Sequence, residues 1–268
     1  MQETMGKALE YLQNILKDNK PDVGVILGSG LGGLVDVLQD SIKINYADIP
    51  EFPVPTVKGH HGYLYVGKIG EHTVLCLQGR VHLYEGHPPQ LIYHFIEVLR
   101  ELGVQTLIVT NAAGSLYRGM PAGSLMLITD HINLSGKNPL IGPHRDPYFP
   151  DMSHAYNITL RRQIKEVALE NNIDLYEGIY LMTLGPNFET PSEIRMFKFL
   201  GANAVGMSTV SEVISAVHAG MDVIGVSVIS NLGTGIAEGE QSHDEVLEKV
   251  SIAGEKLGVL IQKFLEKY

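Results

Sequence analysis

The segment between Gly79 and Gly86 concentrates side chains that can do chemistry. It holds Arg80, His82 and Tyr84 at alternate positions, with a glutamate before the second glycine. In an extended chain, alternate side chains point to the same side. An arginine fork next to a histidine donor is well suited to hold an anion. The spacing predicts an anion site, and a solvated loop that follows a strand is the alternative explanation.

A glycine-rich turn follows the first apolar run of the chain. Residues 23–27 read as a buried strand that leads into Gly28-Ser29-Gly30-Leu31-Gly32-Gly33 and then into a helical pattern over 34–38. A strand, a glycine turn and a helix in this order present backbone N–H groups to an anion. The stretch also matches the dinucleotide-binding pattern G-x-G-x-x-G, with Asp48 twenty residues past Gly28. A dinucleotide site and a simple tight turn both explain these glycines.

Small and polar residues follow the other predicted strands as well. Ligands of open α/β sheets bind at the carboxyl ends of the strands, so we expect these residues to gather there. One group is suited to an anion: Ser29, Arg80, His82, the backbone near Ala112, and Ser208. A second group is suited to an aromatic, hydrogen-bonding ligand: Phe188, Glu189 and Asn231. Together they suggest a phosphate beside a heterocycle.

Hydrophobic periodicity predicts the elements that position these residues. We expect helices over residues 3–18, 34–38, 91–99, 157–170, 192–200 and 210–218 and from 244, and strands over 23–27, 42–46, 63–66, 73–77, 106–110, 124–129, 174–184, 204–207 and 223–229. The pattern contains no linker, repeat or low-complexity segment. It predicts one α/β domain over residues 1–268, with a mixed, mostly parallel central sheet flanked by helices.

The longest connection in this prediction runs from residue 135 to residue 156. Long irregular loops are uncommon and tend to be functional. Tyr148, Phe149 and Met152 give this one apolar groups that have no local core to enter. A contact between subunits or a lid over the active site would account for them.

Composition narrows the function further. The 268 residues carry a formal net charge of -10, which argues against a nucleic-acid surface. The single cysteine, Cys76, lies in an apolar run and is expected to be a buried core thiol. No metal-ligand spacing occurs, so no metal is expected. With no leader pattern and no apolar run long enough to span a membrane, we expect a cytoplasmic protein.

Six motifs in this sequence resemble those of the trimeric purine nucleoside phosphorylases, in the family's order and across nearly the whole chain. They are Gly28-Ser29-Gly30-Leu31-Gly32, Gly59-His60-His61-Gly62, Gly79-Arg80-x-His82-x-Tyr84-Glu85-Gly86, Thr110-Asn111-Ala112-Ala113-Gly114, Gly185-Pro186-Asn187-Phe188-Glu189-Thr190 and Gly206-Met207-Ser208-Thr209-Val210. The resemblance implies a nucleoside phosphorylase-like fold, a homotrimer and a role in purine salvage.

The resemblance also implies roles for individual residues, by matching position. Those expected to bind phosphate are Ser29, His60, Arg80, His82, Ala112 and Ser208. Those expected to hold the sugar are Tyr84, Met207 and His243. Those expected to line the base site are Phe188, Glu189, Val205 and Asn231, with Phe149 reaching in from a neighbouring subunit. Of these, Asn231, Glu189, His82 and His243 are the expected catalytic residues.

The implied reaction is the reversible attack of phosphate on C1′ of a purine nucleoside or deoxynucleoside. Phosphate is a co-substrate, and no cofactor is expected. A phosphate dianion would stabilise the positive charge on the sugar, and Asn231 would stabilise the departing base. Glu189 would favour 6-oxopurines, because adenine has no N1–H to donate to the carboxylate. Ser230 departs from the threonine that many family members carry there.

Three other interpretations compete with this one. A methylthioadenosine phosphorylase would share the fold and the phosphate site, but it would be expected to lack the Phe188-Glu189 pair and to carry acidic side chains at Asn231. An NAD-dependent dehydrogenase would use the glycine turn and Asp48, but it leaves Arg80 unexplained. A non-catalytic purine sensor would have no evident use for a phosphate site.

Overall fold

The computed structural model describes residues 2–28, 32–57, 60–142, 146–236 and 243–268. Within these ranges the chain forms nine β-strands: β1 (Val23–Leu27), β2 (Gln39–Asn45), β3 (Tyr63–Ile69), β4 (His72–Gln78), β5 (Thr106–Ser115), β6 (Leu125–Asn133), β7 (Leu175–Met182), β8 (Ala204–Gly206) and β9 (Asp222–Leu232). It also forms six α-helices: α1 (Gln2–Leu16), α2 (Pro89–Leu102), α3 (Ile158–Glu170), α4 (Pro191–Phe199), α5 (Val210–His218) and α6 (His243–Lys267).

The strands form one mixed sheet in the order β2-β3-β4-β1-β5-β8-β7-β6-β9. An additional pairing between β5 and β9 closes the last five strands into a ring. The pairs β1–β4, β1–β5, β5–β9, β6–β7 and β7–β8 are parallel, and β2–β3, β3–β4, β5–β8 and β6–β9 are antiparallel. The predicted α/β class with a mixed, helix-flanked sheet is confirmed. The ring is a feature that strand periodicity does not predict.

Helices cover both faces of the sheet. Successive side chains of a strand point to opposite faces, so a strand buried on both sides reads as a continuous apolar run. In β1, Ile26 packs in the cluster that contains residues of α1, α2 and α5. Val25 and Leu27 pack in the cluster with α3 and α6. Burial on both sides therefore explains the unbroken apolar sequence of this strand.

Local sequence explains where several helices begin. Pro191 occupies the first turn of α4, where a missing N–H costs nothing. Before it, Thr190 and Glu193 form a capping box in which each side chain accepts a hydrogen bond from the other's backbone N–H. Asn157 caps α3 by accepting from the N–H of Leu160. These caps fix the boundaries close to the predicted ones.

The glycine turn after β1 does not open a dinucleotide-binding unit. The helix predicted at 34–38 is a 3-10 helix, Gly32–Val37. The next strand, β2, lies at the sheet edge, antiparallel to β3, whereas β1 lies between β4 and β5. Asp48 ends a 3-10 turn after β2. In a dinucleotide-binding unit, the strand that follows the glycine turn lies next to β1 and parallel to it. Here that strand is β2, which does not pair with β1, so the βαβ arrangement is absent from the described residues.

Three strands continue past the points where the sequence predicted them to end. β5 runs through the small residues 111–115, β6 runs through 130–133, and β9 includes Ser230 and Asn231. Small and polar residues suggested loops, but in β5 and β9 the ladder continues, with Gly114 opposite Asn231. The residues expected beyond these strands therefore lie on the rigid sheet.

No helix in the described part of the chain is long and apolar enough to cross a membrane.

Candidate active site

A cavity of about 350 Å³ opens at one end of the strand ring. It lies between the segment after β4, the ends of β5 and β9, the turn from β8 to α5, and the segment before α4. Most of the predicted site residues line it: His60, Arg80, His82, Tyr84, Ala112, Phe188, Glu189, Val205, Met207, Ser208 and Asn231. The structure thus brings both predicted groups, the anion-binding one and the base-binding one, into one space.

Arg80 is a buried cation at the inner wall of this cavity. Its Nη1 donates to the backbone oxygen of Thr110 (2.8 Å) and to Ser208 Oγ (3.2 Å). Its Nε lies 2.6 Å from a carboxylate oxygen of Glu212, although the two atoms are not aligned as a hydrogen bond. Nη2 is buried without a hydrogen-bond partner among the described residues. Buried N–H groups are normally paired, so Nη2 is suited to donate to an anionic ligand.

Two histidines beside Arg80 present opposite hydrogen-bonding characters. His60 Nδ1 accepts the backbone N–H of Arg80 at 3.0 Å, so a neutral His60 carries its proton on Nε2. His82 Nδ1 lies 3.1 Å from Glu85 Oε1. Because a carboxylate can only accept, a neutral His82 carries its proton on Nδ1 and has a free lone pair on Nε2. The rings meet edge to face with centroids 4.9 Å apart. The pair therefore offers one donor and one acceptor.

The surroundings keep both imidazoles neutral. Burial, followed by the nearby His82 and Arg80, lowers the pKa of His60 to about 3. Burial and the charge of Arg80 also lower the pKa of His82, although the hydrogen bond with Glu85 opposes this shift. Burial would raise the pKa of Glu85, but hydrogen bonds from Thr56 and His82 outweigh it, and the net shift is downward. Glu85 is thus an ionised acceptor that fixes the orientation of His82.

The turn between β8 and α5 holds Ser208 against Arg80. Thr209 precedes the helix with φ 80 and ψ -49, an unfavourable conformation for a β-branched residue. Its Oγ1 accepts from Asn111 Nδ2 at 2.9 Å and lies 3.2 Å from Ser208 Oγ. The sequence predicted Ser208 and Thr209 as a helix cap, but the Thr209 side chain makes no capping hydrogen bond. It bonds Asn111 of β5 instead.

The cavity lining also includes an aromatic ring and a carboxylate. Phe188 is 78% exposed and lines the cavity, so its ring is open to a ligand. Glu189 Oε1 accepts from Thr183 Oγ1 at 3.4 Å, and burial raises the pKa of this carboxyl group. A half-buried carboxylate with one long hydrogen bond retains the capacity to accept from a ligand N–H.

Asn231 is oriented by its own neighbours. Its Oδ1 accepts from Ser230 Oγ at 2.6 Å, and its Nδ2 donates to the backbone oxygen of Leu232 at 3.0 Å. An amide nitrogen has two N–H donors, so one remains for a ligand. Ser230, which the sequence marked as a departure from the family pattern, thus fixes which way the Asn231 amide faces.

Tyr84 and Met207 also line the cavity. The Tyr84 ring stacks on His82 with centroids 4.6 Å apart. A side chain at Gly185 would come within 3.2 Å of the Tyr84 ring and would overlap Met207, so this position needs a glycine. The close packing holds both side chains at the cavity wall.

Three predicted site residues are not placed in the cavity. Ser29 and the side chain of His243 lie outside the described part of the chain. Phe149 is described, but it does not line the cavity of its own chain and is 87% exposed.

Sequence reasoning missed some residues that the structure places at the site. Val57, Ala113, Gly114, Pro186 and Gly206 also line the cavity. Four of the five stand within or beside the motifs quoted above, which could have indicated them. Val57, in a proline-rich loop, has no such pattern. Among the described residues, no group of three or more His, Cys, Asp or Glu side chains is arranged to hold a metal ion.

Comparison with known proteins gives consistent matches. A sequence model of the phosphorylase superfamily matches residues 22–266. Purine nucleoside phosphorylase 1 of Geobacillus stearothermophilus is 49% identical over 247 residues, with 90% of each chain covered. Purine nucleoside phosphorylase 1 of Bacillus subtilis (strain 168) is 47% identical over 251 residues, with 92% of each chain covered.

A solved structure has nearly the same fold. It is a Schistosoma mansoni purine nucleoside phosphorylase in complex with inosine, with a TM-score of 0.91 and 36% sequence identity. The match covers 99% of this chain and 96% of that one.

Proposed function

Since the chain belongs to the phosphorylase superfamily, among its purine nucleoside phosphorylases, we propose that it cleaves the N-glycosidic bond of 6-oxopurine nucleosides with phosphate. The substrates are inosine, guanosine and their deoxy forms, and the products are the free base and ribose or deoxyribose 1-phosphate. The reaction is reversible and serves purine salvage.

One observation carries this proposal. The lining of a single cavity of about 350 Å³ includes both a buried arginine whose Nη2 is unpaired among the described residues and a half-buried carboxylate, Glu189. Phosphorolysis requires an anion and a nucleoside base to be held at once on opposite sides of a sugar. We propose phosphate as the only co-substrate, and we propose no cofactor.

The anion end supports a defined phosphate-binding mode. Arg80 would donate from Nη2, and His60 would donate from Nε2. His82, neutral with a lone pair on Nε2, would accept the proton of a phosphate hydroxyl. We propose that Ser208, Ser29 and the backbone at Ala112 complete the site. The bound phosphate would stabilise the oxocarbenium-like sugar and act as the nucleophile.

The other end supports recognition of the base. The free N–H of Asn231 would donate to N7 or O6 and stabilise the negative charge that develops on the departing purine. Glu189 would accept from N1–H and from a 2-amino group. Adenine would leave this carboxylate unpaired, which explains a preference for 6-oxopurines. Phe188 would stack on the base, and Val205 would contact it.

The remaining assignments concern the sugar and the assembly. We propose that Tyr84, Met207 and His243 hold the sugar. We also propose a homotrimer in which Phe149 of one subunit closes the base site of its neighbour. Its exposure of 87% in the single chain supports an intersubunit role.

The first experiment is to measure release of free base from inosine, guanosine and adenosine, each with and without phosphate. We expect phosphate-dependent cleavage of inosine and guanosine, with adenosine nearly inert. No cleavage of any nucleoside would overturn the proposal, and strong cleavage of methylthioadenosine would replace it with that rival specificity.

Two substitutions then test base recognition. Glu189→Gln should lower kcat/KM for inosine about 10- to 100-fold, because the base loses a charged acceptor.

Asn231→Ala should lower kcat, because the leaving group loses its donor. Glu166→Gln, an exposed position on α3, is the matched control and should behave as the wild type.

A further inference from the structure

Glu212 is a buried carboxylate that the proposed reaction does not use. It is 1% exposed and lies in the first turn of α5, where the helix dipole stabilises a negative charge. Its ion-pair partner is Arg80, whose Nε lies 2.6 Å from Glu212 Oε1, with both side chains 2% exposed. A buried ion pair is weak evidence for stability, since apolar residues of similar size often serve as well. A role in the site is therefore the better explanation.

The hydrogen bonds of Arg80 show what Glu212 adds. A guanidinium has five N–H donors in a rigid plane. Nη1 is held by Thr110 and Ser208. Nε and Nη2, which share one edge of the plane, have no aligned hydrogen-bond acceptor among the described residues. Glu212 therefore attracts the guanidinium by charge at Nε and leaves Nη2 without a hydrogen-bond partner among the described residues.

We propose that Glu212 is a positioning residue that holds Arg80 with its Nη2 N–H groups ready for phosphate. The inference rests on the proposed function, because it takes Arg80 as a phosphate ligand. Two effects oppose each other at this position. A carboxylate near the site repels phosphate, but it also limits the rotation of a cation that must meet phosphate in one orientation. The Arg80 guanidinium, whose Nε lies 2.6 Å from Glu212 Oε1, offsets the repulsion between this carboxylate and phosphate, so the positioning effect dominates.

Two substitutions distinguish the effect of the Glu212 charge from the effect of its distance to Arg80. Glu212→Gln keeps the shape and removes the charge. Glu212→Asp keeps the charge and withdraws it by about one carbon–carbon bond, ~1.5 Å. We expect each to raise KM for phosphate about five- to tenfold and to leave KM for inosine within about twofold. Ser211→Ala, a buried neighbour on the same turn whose hydroxyl has no hydrogen-bond partner among the described residues, is the control and should leave both constants unchanged.

A binding measurement without nucleoside provides the second readout. Phosphate that binds the folded state raises the unfolding temperature, and at a fixed phosphate concentration the rise is larger when the affinity is higher. We expect the phosphate-induced rise to shrink in both Glu212 variants and to persist in Ser211→Ala. A purely structural role would lower the unfolding temperature in the absence of phosphate and leave the phosphate-induced rise and the phosphate KM unchanged. That result, or a lower KM for phosphate, would overturn the inference.

The readouts also separate this inference from the proposed function. If Glu212→Gln fails to fold, Glu212→Asp still decides the question, because it keeps the buried charge pair. If the wild type is stabilised by phosphate but cleaves no nucleoside, the proposed function fails and the thermal shifts still test Glu212. If phosphate neither stabilises the wild type nor supports cleavage, both proposals fail.

Discussion

At the scale of single residues, the site is defined by hydrogen-bond roles more than by charge. His60 and His82 are both histidines near Arg80, yet one must donate to a ligand and the other must accept. The difference arises because a backbone N–H faces one ring and a carboxylate faces the other. Residue type alone does not distinguish these roles.

The neutral state of His60 has a consequence for stability. Its pKa is about 3 in the folded protein, whereas an exposed histidine titrates near 6.5. Below pH 6.5 the unfolded chain binds a proton that the folded protein does not, so stability is lost as pH falls and is fully present above pH 6.5. We expect unfolding free energy to fall by about 1–2 kcal/mol from this residue between pH 7 and pH 5.

His60→Asn tests this expected pH dependence, because the asparagine side-chain oxygen can still accept the backbone N–H of Arg80. It should reduce the loss of stability between pH 7 and pH 5, measured by urea unfolding in phosphate-free buffer. Circular dichroism is the suitable probe, because the chain has no tryptophan. His61→Asn, at an exposed neighbour, should retain the wild-type pH dependence. Equal slopes for His60→Asn and the wild type would contradict the assignment.

At the scale of elements, the glycine turn serves strand packing. A Cβ at Gly28 would lie 2.8 Å from Asn111 Cα and 3.1 Å from the Thr110 oxygen, which are backbone atoms of β5. The Gly28 N–H also donates to Thr110 Oγ1 at 3.0 Å. Close approach of β1 and β5 therefore requires glycine here. The same approach brings Gly28 next to β5, the strand that carries Ala112.

Gly28→Ala should consequently destabilise the protein by about 1–3 kcal/mol, because β1 and β5 must separate to admit a methyl group. Urea unfolding measures the change. Gly33→Ala lies in the same glycine-rich stretch, but nothing stands within 4 Å of its Cβ position. This control should shift stability by less than about 0.5 kcal/mol. If both variants were equally stable, packing would not explain Gly28.

At the scale of the whole molecule, the sheet brings the described residues of the site together, while Phe149 lies outside the cavity of its own chain. Ile141, Tyr148 and Phe149 are 64%, 56% and 87% exposed, which is unusual for large apolar side chains. Cavity residues of one chain and Phe149 of another would form a complete base site in a trimer. The exposed side chains would then be buried between subunits.

Co-expression of two defective chains tests this shared site. In a mixed trimer, a Phe149→Ala subunit can receive Phe149 from a Glu189→Gln neighbour and regain a complete site. Random assembly of equal amounts in a closed trimer would restore about a quarter of the sites. We expect activity clearly above the mean of the two pure variants, with light scattering giving the mass of a trimer. Activity equal to that mean would indicate sites built from one chain.

The sequence determined much of this protein by short-range rules. Apolar periodicity gave most strands and helices, because each period reflects the geometry of one element. The types and spacing of Arg80, His82 and Glu189 indicated an anion and a base before any contact was known. Each of these inferences draws on neighbours along the chain, such as Arg80 with His82 and Phe188 with Glu189.

Only the tertiary structure determined the strand pairings and side-chain contacts between residues that are far apart in the sequence. Closure of the strand ring relies on the pairing of β5 with β9, and extension of those strands through Asn111 and Asn231 follows from it. Glu212 was not recognised from the sequence, since its partner is far away in the chain. Arg80 is likewise 128 residues from Ser208, which it contacts. No local pattern encodes such contacts, because they exist only once the sheet has brought its strand ends together.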